Sequence, residues 1–272
     1  MLHFSTLTHS RLIEGVKNMK HLIAGTIAVA LAMGISFNAR AQSEITLLSP
    51  NPIEETINKL VADFQAKTGT HVKVTYGTGV STRKDVAAGK ALDVTLLFSP
   101  FDDAVRTGNV VRGSATVIAR QRLAIAVKKG AARPDISTRD AVRRTLLNAK
   151  SIISVDPDQG SVGGAVLLTL DKLGLTQQLR PKIKWVPTGG VVQDSVAKGE
   201  YELALGPYLS DMRNPGLDVV GALPADASYV VDVTGFLSTS AKDSKAARAL
   251  LDFLASHDRA PVYESAKLFP AR

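Results

Sequence analysis

Four short segments of this chain join glycine or a small hydroxyl residue to the start of a helical pattern: Ser49-Pro50-Asn51, Gly77-Thr78-Gly79-Val80-Ser81-Thr82, Asp158-Gln159-Gly160-Ser161-Val162-Gly163 and Pro187-Thr188-Gly189-Gly190. N–H groups in a helix's first turn lack carbonyl partners, and the helix dipole adds partial positive charge there, so such a start can hold an anion. Any one of the four is equally an ordinary capped turn. Together they sit where open α/β folds bind ligands, beyond the carboxyl ends of strands. The chemistry expected is a cradle of neutral donors, with Ser49, Asn51, Thr78, Gly79, Ser81, Ser161 and Gly190 as contacts. Tyr208, after a predicted strand, adds a phenolic donor.

Arg83 and Lys84 fall in the first turn of the second predicted helix, where the macrodipole opposes positive charge. A bound carboxylate would offset that, and the fork of Arg83 suits a planar carboxylate better than an ammonium does. Arg120 and Arg122 are weaker candidates of the same kind near a predicted interlobe crossing. Other chemistries are excluded by what is absent. The chain has no cysteine, so thiol nucleophiles, iron-sulfur clusters and cysteine zinc sites are impossible. Outside the first 41 residues the histidines are His71 and His257, neither beside a candidate loop, so no metal site, cofactor or Ser-His-Asp triad is expected. G-x-S-x-G, H-E-x-x-H and G-K-[ST] motifs are also missing.

The elements that must position these residues alternate in type. Glu44–Leu48 reads as a strand, and Asn51-Pro52-Ile53-Glu54 as a helix start with proline in the first turn. Ile53, Ile57, Leu60, Val61 and Phe64 recur at helical spacing up to the stop at Gly69. Strands at Val72–Tyr76 and Asp93–Phe98 flank a helix over Ser81–Ala88, which gives βαβαβ. A second set runs through Leu123–Val127, a helix capped at Ser137, Ile152–Val155, Ser161–Leu173, Ile183–Val186, a helix near Val191–Ala197, and Glu202–Gly206. The chain returns through Tyr229–Leu237 and the helix Ser244–Ala255. Such alternation predicts α/β lobes with mostly parallel sheets flanked by helices. Strand-like crossings near Ala119–Arg122 and Ala222–Ser228 would join them, so that residues 42–120 with 226–272 form one lobe and 121–225 the other.

Of 272 residues, 45% are apolar and 21% charged, a globular composition. The first 41 read as a secretory signal peptide: Lys17 and Lys20 precede the uncharged run Leu22–Ile35, and Ala39-Arg40-Ala41 is an A-x-A cleavage signature. That run is shorter than the roughly 18 residues a membrane helix needs. Met19 opens a bacterial-type leader in its own right and is an alternative start. Cleavage after Ala41 leaves 29 Lys and Arg against 24 Asp and Glu, a charge of +5 with no block of five like charges. Neither nucleic-acid binding nor lasting membrane insertion is expected, and the mature chain is read as a periplasmic monomer.

The segments ITLLSPNPIEETINKLVADFQAKTG, GTGVSTRKDVAAGKALDVTLLFSP, VDPDQGSVGGAVLLTLDKLGL and KGEYELALGPYLSD carry a resemblance to the periplasmic molybdate-binding family of type II solute-binding proteins over the whole mature chain. The resemblance implies two α/β lobes closing on a ligand in the cleft between them. Carried over by position, the family's oxyanion contacts fall near Pro52, Gly79 and Val80, Val162, Val191 and Tyr208. Two of its hydroxyl donors are displaced: Pro52 stands at the first-loop serine, and the second loop offers Thr78 and Ser81 instead. That loss argues against molybdate. The expected function is capture of a small carboxylate or oxyanion for an ABC-type permease. The alternative is aconitate isomerisation on the same scaffold, since the family also includes periplasmic aconitate isomerases; Tyr208 and Arg83 would then be the catalytic candidates.

Overall fold

A computed structural model describes residues 44–208 and 214–271, so the signal peptide and its cleavage site lie outside the described residues. β1 (Glu44–Pro50) passes through a 3-10 turn at Asn51–Ile53 into α1 (Glu54–Thr68), β2 (His71–Gly77), α2 (Gly79–Ala87), β3 (Val94–Phe98), the single turn α3 (Asp102–Val105) and β4 (Thr116–Gln121). Then come β5 (Leu123–Lys128), α4 (Arg139–Asn148), β6 (Ile152–Val155), α5 (Ser161–Leu173), the short α6 (Thr176–Leu179), β7 (Ile183–Val186), α7 (Gly189–Lys198), β8 (Leu203–Pro207) and β9 (Leu217–Ala222). β10 (Val231–Leu237), α8 (Ser244–Ala255), α9 (Ala260–Ser265) and β11 (Phe269–Pro270) close the fold.

These strands form two sheets, ordered β11-β4-β10-β3-β1-β2 and β7-β6-β8-β5-β9. The helical crossovers give parallel pairs, β1 with β2 and β3, and β6 with β7 and β8. The strands that carry the chain between lobes run the other way: β10 is antiparallel to β3 and β4, and β5 to β8 and β9. Both sheets are therefore mixed. Strand-helix alternation foresees the crossovers but not the direction of strands that enter from the other lobe.

Each sheet is covered by amphipathic helices. Ile57, Leu60, Val61 and Phe64 of α1 are buried against the Ile45 and Leu47 side of β1, and Phe64 meets Phe253 of α8 edge-on at 5.4 Å. In the other lobe Val142 and Leu146 of α4 and Val166 and Leu170 of α5 pack with Ile125 and Ile152. Burial of each such side chain is worth about 1.5–3 kcal/mol. α1 ends at Gly69, whose φ of 70° is the left-handed stop expected of that residue. The α4 cap is shifted by one residue from expectation. The Ser137 hydroxyl donates to Asp135 Oδ1 at 2.7 Å, and Thr138 Oγ1 accepts from the Ala141 amide instead.

Two segments connect the lobes. Gln121, Arg122 and Leu123 pass directly from β4 into β5. The return, from Leu223 to Val230, is a turn rather than a strand, because Pro224 starts a tight turn whose carbonyl accepts from the Ala227 amide. It is tied to α5: Lys172 Nζ donates to the carbonyls of Ala225 (2.8 Å) and Ser228 (2.9 Å), and the Tyr229 amide donates to Thr169 Oγ1 (2.9 Å). The helix that carries Ser161 and Val162 at its start therefore grips the return crossing near its other end.

Candidate functional site

A cavity of about 370 Å³ opens between the strand ends of the two lobes. Its wall takes Asn51, Pro52, Thr78, Gly79 and Phe98 from one lobe, and Val155, Gln159 to Val162, Pro187 to Gly190, Val192, Gln193 and Leu205 to Pro207 from the other. Among the described residues, no wall position carries an ionisable side chain.

The donors come from the backbone. At α2 the Thr78 side chain caps the Ser81 amide at 3.0 Å, which leaves the amides of Gly79 and Val80 without a carbonyl partner in the described structure. α5 begins after Gly160 with no side-chain cap, so the Ser161 and Val162 amides are likewise unpaired. At α7 Thr188 Oγ1 reaches the Val191 amide only at 3.5 Å, and those of Gly189 and Gly190 are open. Proline at positions 50 and 52 removes two donors from the first loop, leaving the Asn51 amide and carboxamide. Three helix starts thus bring free N–H groups to one space, from Gly79 at α2 and in pairs at α5 and α7, with the dipoles of three helices behind them.

Glycine permits this convergence. A Cβ on Gly79 would collide with the Ser161 hydroxyl and lie 2.8 Å from Ser161 Cβ, so the starts of α2 and α5 meet only because that atom is missing. One on Gly163 would collide with the backbone of Val155, Asp156 and Pro157, which seats the first turn of α5 on the loop after β6. Ser161 Oγ is itself buried without a hydrogen-bond partner. Buried hydroxyls are ordinarily paired, so this one is left free to donate.

Of the residues proposed from sequence, Asn51, Thr78, Gly79, Ser161, Val162 and Gly190 are gathered on the wall, and Ser49, Val80, Ser81, Arg83, Val191 and Tyr208 are not. Ser49 is fully buried, with its Oγ turned to the Pro50 carbonyl. Ser81 is spent on Thr78, through both amide and hydroxyl. Val191 points outward at 44% exposure. Arg83 Nη1 donates to the Pro100 carbonyl at 2.7 Å, so its fork serves the loop after β3. The Tyr208 ring stacks with Phe269 at 6.4 Å. Asp211, an acid in the KGEYELALGPYLSD segment whose type suits a capping or stabilising role rather than catalysis, lies outside the described residues. Sequence reasoning missed the apolar wall. Phe98, Val155 and Pro207 are the last residues of β3, β6 and β8, and the rule that ligands sit beyond strand ends could have nominated them. Val192 and Gln193, in the first two turns of α7, carry no comparable signal.

The model of the family described as bacterial extracellular solute-binding protein matches residues 45–266. The chain belongs to that family. Among relatives of this binding protein, an aconitate isomerase from a Pseudomonas species is 29% identical over 89% of this chain and 94% of its own. A molybdate-binding protein of Rhodobacter capsulatus is 27% identical, over 86% and 90% respectively. The sulfate-binding protein of Mycobacterium tuberculosis superposes with a TM-score of 0.67 at 17% identity, covering 84% of this chain and 87% of that one, a likeness of fold. Family membership places the binding protein in the periplasm, among the bacterial extracellular solute-binding proteins. No helix among the described residues is long and apolar enough to cross a membrane.

Proposed function

We propose that this binding protein captures a small organic polycarboxylate rather than a bare tetraoxyanion. The observation that carries the reading is the cavity itself: about 370 Å³, bordered by free helix-start amides from both lobes and by the apolar side chains of Phe98, Val155, Val192 and Leu205. Four oxygens at the ~30 Å³ a water molecule takes up in the liquid need roughly 120 Å³, so the open cleft has room for an anion larger than a tetraoxyanion. A carboxylate on a short hydrocarbon skeleton uses both parts, with its oxygens on the amides and its carbons on the apolar wall. Delivery to an ABC-type permease then follows from the class.

The similarity to an aconitate isomerase favours a second reading, in which the same cleft moves a proton along an allylic tricarboxylate. Both readings predict binding of a tricarboxylate and differ in turnover. Thermal denaturation with cis-aconitate, trans-aconitate, citrate, sulfate and molybdate tests the first. A ligand at a hundred times its Kd adds about 2.7 kcal/mol, which raises the Tm of a chain this size by about 5–11 °C. We expect that rise with the tricarboxylates and none with molybdate or sulfate; the reverse order would defeat the carboxylate reading. Incubation with cis-aconitate, followed by ultraviolet absorbance, separates capture from catalysis. A steady spectrum supports capture, and drift to the trans isomer supports the isomerase.

A further inference from the structure

The uncharged wall raises a question of charge. A polycarboxylate carries two or three negative charges, and in a partly dry cleft neutral amides alone compensate them incompletely. The neighbouring arginines differ in how free they are. Arg83 is engaged by the Pro100 carbonyl, and Arg120 is held by Asp232 at 3.1 Å and the Ala271 carbonyl at 2.7 Å. Arg122 has no carboxylate partner among the described residues, and the one hydrogen bond its guanidinium makes there, to the Leu223 carbonyl, is long at 3.4 Å.

Arg122 also lies next to the cavity wall. Its carbonyl accepts from the Tyr208 amide at 2.8 Å, and the following residue, Leu123, pairs with the wall residue Pro207. Its guanidinium sits on the face of Phe269, with Cζ 3.6 Å from the ring centroid. The same ring stacks with Tyr208. Stacking fixes the guanidinium plane while leaving its in-plane N–H groups for a bidentate acceptor. Burial lowers the pKa of Arg122 from its ordinary value, with Tyr208 acting in the opposite sense, as befits a cation short of a counter-charge.

We propose that Arg122, oriented by Phe269, is a specificity-determining residue that takes the central carboxylate of a tricarboxylic ligand at the hinge end of the cleft. The proposal rests on the polycarboxylate reading above. Both lobes would then be read at once, since Arg122 joins β4 to β5, Tyr208 follows β8 and Phe269 belongs to the carboxyl-terminal strand beside β4.

The test is calorimetric titration of the wild type, Arg122→Gln, Arg122→Lys and Phe269→Leu with tricarballylate and with glutarate, which is the same carbon chain without the central carboxylate. Arg122→Gln should weaken tricarballylate binding about 10- to 100-fold, in line with loss of a charge-assisted pair, and glutarate binding less than threefold. Arg122→Lys and Phe269→Leu should fall between, because the first keeps charge without the fork and the second keeps the fork without its support. Equal weakening of both ligands, or no change for tricarballylate, overturns the assignment. Wild-type protein that binds neither compound overturns the polycarboxylate reading and this proposal with it. Should Arg122→Gln fail to fold, the Lys and Leu variants decide by the same comparison.

Discussion

Gly79→Val is expected to leave a folded protein that has lost at least about 100-fold in ligand affinity. The backbone of Gly79 is helical, where valine is no poorer a helix former than glycine, so the substitution carries no propensity cost. Space between the lobes is what the substitution removes. Any Cβ collides with the Ser161 hydroxyl, and the branched methyls of valine extend the obstruction, so the starts of α2 and α5 must separate. Amides from the two lobes then no longer reach the same anion. Hydrogen bonds to a charged group are worth about 1.5–3 kcal/mol each, and loss of two of them amounts to two or more orders of magnitude. Circular dichroism and thermal melting would show native content and a Tm within a few degrees of wild type. Calorimetric titration would show the loss. Undiminished affinity in a folded Gly79→Val protein would mean that the two helix starts do not share the ligand.

The second large effect concerns stability. Asp93 is 3% exposed and sits between three segments: Oδ2 accepts from the Thr46 amide and hydroxyl, both at 2.8 Å, and Oδ1 accepts from the Lys242 amide at 2.7 Å. It thereby joins β1, the start of β3 and the turn before α8, the elements on which the first lobe's side of the cleft is built. Asp93→Ala leaves those donors buried without an acceptor, a cost of about 3–5 kcal/mol, or a fall in Tm of roughly 6–20 °C for a chain this size. The effect should depend on pH. Burial alone would raise the Asp93 pKa, but the Thr46 hydrogen bonds, with those of Lys242 and its charge, outweigh it and hold the carboxyl below its ordinary range. A group depressed on folding stabilises the protein above its unfolded pKa, near 4, and loses that contribution as pH falls through the lower folded value. The difference between wild type and Asp93→Ala should therefore be full at neutral pH and shrink in strong acid. A pH-independent difference would assign the loss to packing alone.

How much of this was legible in the sequence depends on how local each feature is. Helix starts and stops were readable to within a residue or two because they are set by a few adjacent residues: the α2 start, read at Ser81, falls at Gly79 after Thr78, the α5 start falls at Ser161 as read, and Gly69 ends α1. The backbone half of the cradle followed from them. Side-chain direction did not, since it is decided by partners far along the chain. Arg83 turns to a carbonyl 17 residues away, and Tyr208 to a ring supplied by the last few residues. Spacing within the α2 start cannot reveal either. The antiparallel entry of β5 and β10 was hidden for the same reason, because strand direction follows from which lobe the chain has just left. Arg122 was visible as a cation near a crossing. Its freedom from carboxylates, which separates it from Arg120, required Asp232 to be placed beside its neighbour.

The central claim, that opposed helix starts from both lobes present free amides to one organic anion, is tested most directly by following backbone amide resonances during titration with trans-aconitate. The signals of Gly79, Val80, Ser161, Val162, Gly189 and Gly190 should shift together and fit a single Kd. Shifts confined to one lobe, or an absence of shifts at these six amides, would contradict it.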